Sequence, residues 1–183
     1  TARAKGVPEA IVRDRHVART ALFPVLSRFV VSLPYMLTGT VIIEDVAFPV
    51  PRLAEATTDL QELLRKWGYH EAVIFGHALE GNLHFVFTQD FSTLEEIDRY
   101  AKLMSDVSEM VVNKYDGSLK AEHGTGRNMA PFVEMEWGKE AYDFMKKIKG
   151  IFDPKEILNP GVILNSDNEA HLKNLKPIPA ASE

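Results

Sequence analysis

The chain has 183 residues, 45% of them hydrophobic and 26% charged, a balance that suits one soluble globular domain with a sizeable core and excludes a disordered or fibrous chain. Its 21 Lys and Arg against 26 Asp and Glu leave a formal charge of −5 with no basic run, a field that repels phosphate backbones and argues against nucleic acid as a partner. Cysteine is absent, so disulfides, thiolate nucleophiles and cysteine-held zinc or iron–sulfur centres are excluded within this chain, and any metal must sit on His and carboxylates.

The opening TARAKG lacks an initiator Met and the apolar stretch of a signal peptide, which suggests a fragment or a processed chain. From Pro8 to about Ser32 apolar residues alternate with arginines in a pattern that predicts a helix broken near Pro24 or Pro34. TVIIEDVAFPV then predicts a strand from about Thr40 to Phe48, and Leu53, Ala56, Leu60, Leu63 and Leu64 mark a helix that Gly68 closes. EAVIFGH and GNLHFVFTQD predict two adjacent strands or a hairpin. A capping box at Ser92 and Glu95 opens a long helix with a stripe of Leu94, Ile97, Tyr100, Ala101, Met104, Val107 and Val111. A turn at Asp116 to Ser118 and the Gly-rich LKAEHGTGRN follow. A helix from about Ala130 then has Ala141, Met145 and Ile148 on one face, before FDPKEILNPGVIL closes the fold. The folded unit is expected to span about residues 8 to 165. The whole predicts an α+β fold, an antiparallel sheet covered by helices on one face. No apolar run is long enough to span a membrane, since Glu44 and Asp45 cut VIIEDVAFPV and Arg28 and two prolines cut FPVLSRFVVSLPYML. A cytoplasmic location is the default expectation.

Chemistry concentrates in three histidines set in Gly-flanked strand ends or loops. If His77 ends one strand and His84 begins the next, the intervening turn lets both imidazoles face one point, and two imidazoles with a carboxylate leave a divalent metal an open position. Glu122 is the natural third ligand, with Glu80 a solvated competitor. In extended chain Glu122 and His123 would point apart, one towards a metal and the other towards a bound molecule. Each group also has a plainer role: strand-end histidines are often hydrogen-bonded structural residues, and EHGTGRN alone is a Gly-rich turn with an exposed His. It matches neither a dinucleotide-binding nor a Walker loop, and no G-x-S-x-G elbow is present.

Taken together, GHALEGNLHF, KAEHGTGRN and IFDPKEILNPGVIL, in that order and at that separation, resemble the C-terminal substrate or cap domain of the FAD-linked oxidases related to vanillyl-alcohol oxidase. The branch is that of the D-lactate, glycolate and D-2-hydroxyglutarate dehydrogenases, and the resemblance runs from about Arg19 to Leu164. It implies that His77, His84 and Glu122 hold a divalent metal, zinc first, that grips the carboxylate and hydroxyl of a small 2-hydroxy acid. It further implies that His123 is the general base, that Arg19 pairs with the substrate carboxylate, and that Asn159 lies near the flavin ring. FAD would be bound mainly by a domain preceding this one in the same parent chain. Residues 1–165 would then be the cap domain and 166–183 an extended linker or tail, with a cysteine-rich iron–sulfur domain after Glu183 in a fused subset of relatives. The surface around His77, His123 and Asn159 would be concave and apolar where it closes over the flavin.

The chain departs from the family pattern at Leu79-Glu80, where GlyAsp is usual, and at Val162, where a Lys often stands. Ile43 replaces a Lys of hydroxyglutarate-oxidising relatives, which favours a monocarboxylate such as lactate. The competing readings are a metal- or ligand-binding module without redox chemistry and a metal-dependent hydrolase using the same two histidines and Glu122.

Overall fold

The computed structural model describes residues 40–175, so the helix expected over Pro8 to Ser32, Arg19 within it, and the end of the tail lie outside the described residues. Three strands form the sheet: β1 (Thr40–Ala47), β2 (Val73–His77) and β3 (Asn82–Gln89), ordered β1-β3-β2 with both pairings antiparallel. β3 takes the centre, paired on both edges, and is the most buried of the three. Its Leu83, Phe85 and Phe87 are buried on one face, where the Phe87 ring meets Tyr69 at 4.6 Å and Tyr100 at 6.4 Å.

Helix α1 (Leu53–Lys66) supplies Ala56, Leu60 and Leu64 to that face at four-residue steps, and α2 (Leu94–Glu109) adds Tyr100, Leu103, Met104 and Val107. α1 ends as its sequence predicts: Gly68 N–H reaches Arg65 O at 3.0 Å and Tyr69 N–H reaches Leu64 O at 2.8 Å, the paired bonds that close a helix before a left-handed glycine. The predicted α+β fold, an antiparallel sheet with helices on one face, is the one observed.

Four local expectations change. The N-cap of α2 is Thr93, whose hydroxyl accepts Glu96 N–H at 3.2 Å, whereas Ser92 turns back to donate its N–H and hydroxyl to Asp90 at 2.8 and 2.6 Å. The cap therefore sits one residue later, because the local Asx turn claims Ser92. Leu94 is 85% exposed, since the first residue of the helix precedes the turn that reaches the sheet, and Leu103 takes its place in the stripe.

The third helix, α3 (Val133–Phe152), is broken at Gly138 (φ 77°, ψ 161°), which resets its phase. Tyr142 is consequently the buried residue, Ala141 and Met145 are half-buried, and Ile148 is exposed beside Phe144, Ile151 and Phe152. Packing also continues beyond residue 165: Ala170 and His171 are buried, with the His171 ring 5.2 Å from Phe132, and Leu172 and Leu175 lie against the core. The described residues all fall in one compact unit.

Candidate functional site

Residues on the face of the sheet away from α1 and α2 carry the site. Register places Asp45 of β1, His84 of β3 and Phe75 of β2 in one row across the three strands, and His77 opposite Asn82, one diagonal step from His84. Alternation along each strand puts Asp45, His84, Phe75 and His77 on this same face. The link between β2 and β3 is a single 3-10 turn, Ala78–Glu80, closed by Gly81 in the left-handed region at φ 71°. Phe48 N–H donates to Gly81 O at 2.9 Å and ties the turn to the end of β1. Gly76 lies so close to the returning strand that a Cβ there would stand 2.2 Å from Asn82 O. The short turn and this close approach bring the two imidazoles together, with ring centroids 5.7 Å apart.

His77 Nε2 lies 3.5 Å and His84 Nε2 3.0 Å from the same oxygen, Glu122 Oε1. The ligand atoms of His77, His84 and Glu122 all fall within 4.8 Å of one another. His84 is almost fully buried at 6% side-chain exposure, while His77 at 63% and Glu122 at 45% face solvent, so the cluster is anchored on one side and open on the other. His123 stacks on His84 with ring centroids 5.0 Å apart, and the Phe75 ring is tilted against His84 at 5.2 Å. His84 Nδ1 is buried with no hydrogen-bond partner among the described residues.

The loop that delivers Glu122 and His123 is shaped by Asp45. This carboxylate is fully buried, and its Oδ2 accepts three consecutive backbone N–H groups, those of Ala121 (3.0 Å), Glu122 (2.7 Å) and His123 (3.3 Å). The expectation that Glu122 and His123 point apart fails here. Wrapped round one oxygen, the segment bends instead of running extended, and His123 Nε2 comes to 3.8 Å from Glu122 Oε1. Lys120 sits beneath, 2.5 Å from Glu44 and 3.3 Å from Asp45, and Asn128 donates to Glu44 while accepting from the Tyr100 hydroxyl at 3.1 Å. Burial pushes the Glu44 carboxyl up despite Lys120. At Asp45 burial also acts upward, but the amides of Glu122 and His123 together with Lys120 outweigh it and hold the carboxyl below the usual range.

Two imidazoles and a carboxylate converging within 4.8 Å are a donor set that suits a divalent ion such as zinc and leaves positions for an exogenous ligand. Asp45, His84 and His123 also lie within that mutual distance, but the Asp45 oxygens are already taken by amides and Lys120. The first set is therefore the free one. Glu80 is solvent-exposed in the turn.

Asn159 stands elsewhere, with a left-handed backbone (φ 45°) in a cleft of about 550 Å³ that also takes in Tyr142, Lys149, Asp153 and Pro160 but none of the three clustered histidines or Glu122. Its loop is linked to the His123 loop by Arg127, which donates to Pro160 O at 3.1 Å, and by Ile163 N–H to Gly126 O. Ile43, Phe75 and Leu79 are exposed on or beside the histidine hairpin, and Ile157, Leu158 and Ile163 flank Asn159. Arg19 lies outside the described residues. Sequence reasoning misses Asp45, which reads there only as a charge that interrupts an apolar run. No local pattern singles it out, because alternation along β1 gives the helix-covered face to Glu44 and Val46 and puts Asp45 on the other.

A family model described as FAD linked oxidases, C-terminal domain, matches residues 12–163. The chain is 34% identical over 131 residues to glycolate oxidase subunit GlcD of Bacillus subtilis, covering 72% of this chain and 27% of that protein. It is 35% identical over 94 residues to a D-2-hydroxyglutarate dehydrogenase of Stutzerimonas stutzeri, covering 51% and 20%. With the mitochondrial cytochrome-type D-lactate dehydrogenase of Arabidopsis thaliana it shares 34% over 122 residues, covering 67% and 21%. The chain thus spans about a quarter or less of the length of these relatives.

Proposed function

The chain belongs to the FAD-linked oxidases as their C-terminal domain, and from that premise we propose that it is the substrate side of an FAD-dependent 2-hydroxy-acid dehydrogenase. The observation that carries this reading is the convergence of His77 and His84 on one Glu122 oxygen with His123 alongside. In this reading His77, His84 and Glu122 hold a divalent metal, zinc first. Such an ion supplies Lewis acidity that lowers the pKa of a bound hydroxyl. FAD, bound chiefly by a preceding domain of the parent, supplies the hydride acceptor.

This chain's own residues position the acid and move a proton. His123 receives the substrate hydroxyl proton at Nε2, the nitrogen that faces the ligand cluster, and an imidazole is suited to that exchange near neutral pH. Arg19 pairs with the substrate carboxylate through its planar fork, and Asn159 contacts the flavin edge. Ile43, 54% exposed two residues along β1 from Asp45, offers no charge to a second carboxylate, which favours a monocarboxylate such as D-lactate. A cytoplasmic site and an iron–sulfur electron acceptor further along the parent chain complete the reading, and the parent reading frame decides the latter.

The test is stopped-flow reduction of the flavin by D-lactate in the full-length protein, with metal content measured on the same samples. His123→Ala should retain its metal and slow reduction by roughly two to four powers of ten, the contribution of a positioned proton acceptor. Loss of metal in that variant, or a rate within a few-fold of the unaltered protein, refutes the assignment. Substrate turnover without flavin would instead point to the hydrolase.

A further inference from the structure

We propose that Asp45 is the positioning residue of this site: one buried carboxylate fixes both the path of the loop that carries Glu122 and the tautomer of His123. The functional meaning rests on the metal-and-base reading above. The geometry stands without it.

Asp45 sits on β1 directly opposite His84, fully buried in a row where a charge needs compensation. Three consecutive N–H groups converge on its Oδ2, an arrangement that imposes a tight concave bend on the backbone from Ala121 to His123. An extended segment would have thrown Glu122 and His123 to opposite sides. The bend brings the Glu122 carboxylate to both histidine Nε2 atoms and lays the His123 ring on His84.

The second oxygen acts on the ring. Asp45 Oδ1 lies 3.3 Å from His123 Nδ1, and Lys120 Nζ stands at the same distance from Oδ1. A carboxylate only accepts, so the imidazole proton belongs on Nδ1 and the lone pair on Nε2. Nε2 is the nitrogen turned towards Glu122, at 3.8 Å. A base held in one tautomer by a carboxylate behind it, and a ligand loop oriented by a group that does not itself bind, are the usual work of an outer layer of residues. Asp45 cannot serve as a ligand without surrendering these donors, which separates its role from that of Glu122.

Two measurements on the 183-residue chain test the proposal. Long-range ¹H–¹⁵N correlation of the imidazoles at about pH 8, where an ordinary imidazole is neutral, should find His123 predominantly protonated on Nδ1. A predominantly Nε2-protonated His123 in the unaltered chain overturns the proposal. The second measurement is a Co²⁺ titration followed by visible absorption. Asp45→Ala should bind Co²⁺ about 10- to 100-fold more weakly and shift His123 towards the Nε2-protonated form, whereas Asp45→Asn, whose one oxygen can take the backbone amides while its NH2 faces His123 Nδ1, should recover most of the affinity and leave His123 protonated on Nε2. An Asp45→Ala affinity within about two-fold of the unaltered chain overturns it. Should Asp45→Ala fail to fold by circular dichroism, the tautomer of the unaltered chain decides alone. An unaltered chain that takes up no Co²⁺ removes the metal reading, and the His123 tautomer still decides whether Asp45 positions the ring.

Discussion

Replacing Gly81 by Ala probes the turn on which the site depends, because this residue closes the link between the two histidine strands and its carbonyl ties that link to the end of β1. Its φ of 71° lies in the left-handed region, which costs an L-residue about 1–2 kcal/mol. A Cβ there would also stand 2.1 Å from Phe48 O and 3.2 Å from Phe48 C, both backbone atoms that cannot swing aside as a side chain would. Relief requires the turn to move off β1, which breaks the 2.9 Å bond from Phe48 N–H to Gly81 O at a net cost of about 1 kcal/mol. The total is about 2–3 kcal/mol, a large fraction of the roughly 5–15 kcal/mol that holds a domain folded. In urea, with a slope of about 2 kcal/mol per molar, the unfolding midpoint should fall by about 1–1.5 M. Gly76→Ala separates sterics from backbone strain. Its φ is not left-handed, yet its Cβ would meet Asn82 O at 2.2 Å, so it should displace His77 from His84 and weaken Co²⁺ binding more than its stability loss alone predicts. A Gly81→Ala midpoint within about 0.3 M of the unaltered chain would refute the argument that the turn is pinned.

Glu122→Gln should lower metal affinity while leaving the fold intact, and activity of the full-length protein should recover partly with excess metal, because a neutral amide oxygen is a weaker ligand; unchanged metal content by elemental analysis would remove Glu122 from the ligand set. Thr93→Ala should cost about 1 kcal/mol and Ser92→Ala less than about 0.5 kcal/mol in urea unfolding, since only Thr93 caps the helix, and the reverse ranking would restore the cap to Ser92. Asp153 is held below the usual carboxyl range by Lys149 and by the amides of Ile157 and Leu158. A depressed folded pKa contributes stability above the unfolded value of about 3.9 and loses it as pH falls through the folded one. The difference in melting temperature between the unaltered chain and Asp153→Asn should therefore be full at about pH 6 and shrink towards about pH 3, and a difference independent of pH would contradict the assignment.

The sequence by itself determined the parts whose physics is local. Alternation along TVIIEDVA and NLHFVFTQ, the four-residue steps of Ala56, Leu60 and Leu64, and a glycine after Trp67 mark strands and a helix because neighbours a few positions apart share a face or a turn. The spacing of His77 and His84 across a Gly-containing turn made their meeting legible for the same reason. Choices between adjacent residues were not legible, since Ser92 and Thr93 differ as caps only through what Asp90 does. Nor was the phase of α3 legible across Gly138, which resets it. The orientation of Glu122 and His123 depended on contacts the chain makes at a distance. Asp45 lies 76 to 78 positions away from the amides it gathers, and no periodicity connects them. Only the tertiary structure could decide it, because burying Asp45 obliges the chain to bring it hydrogen-bond donors, and the loop that brings them is the one that carries Glu122 and His123.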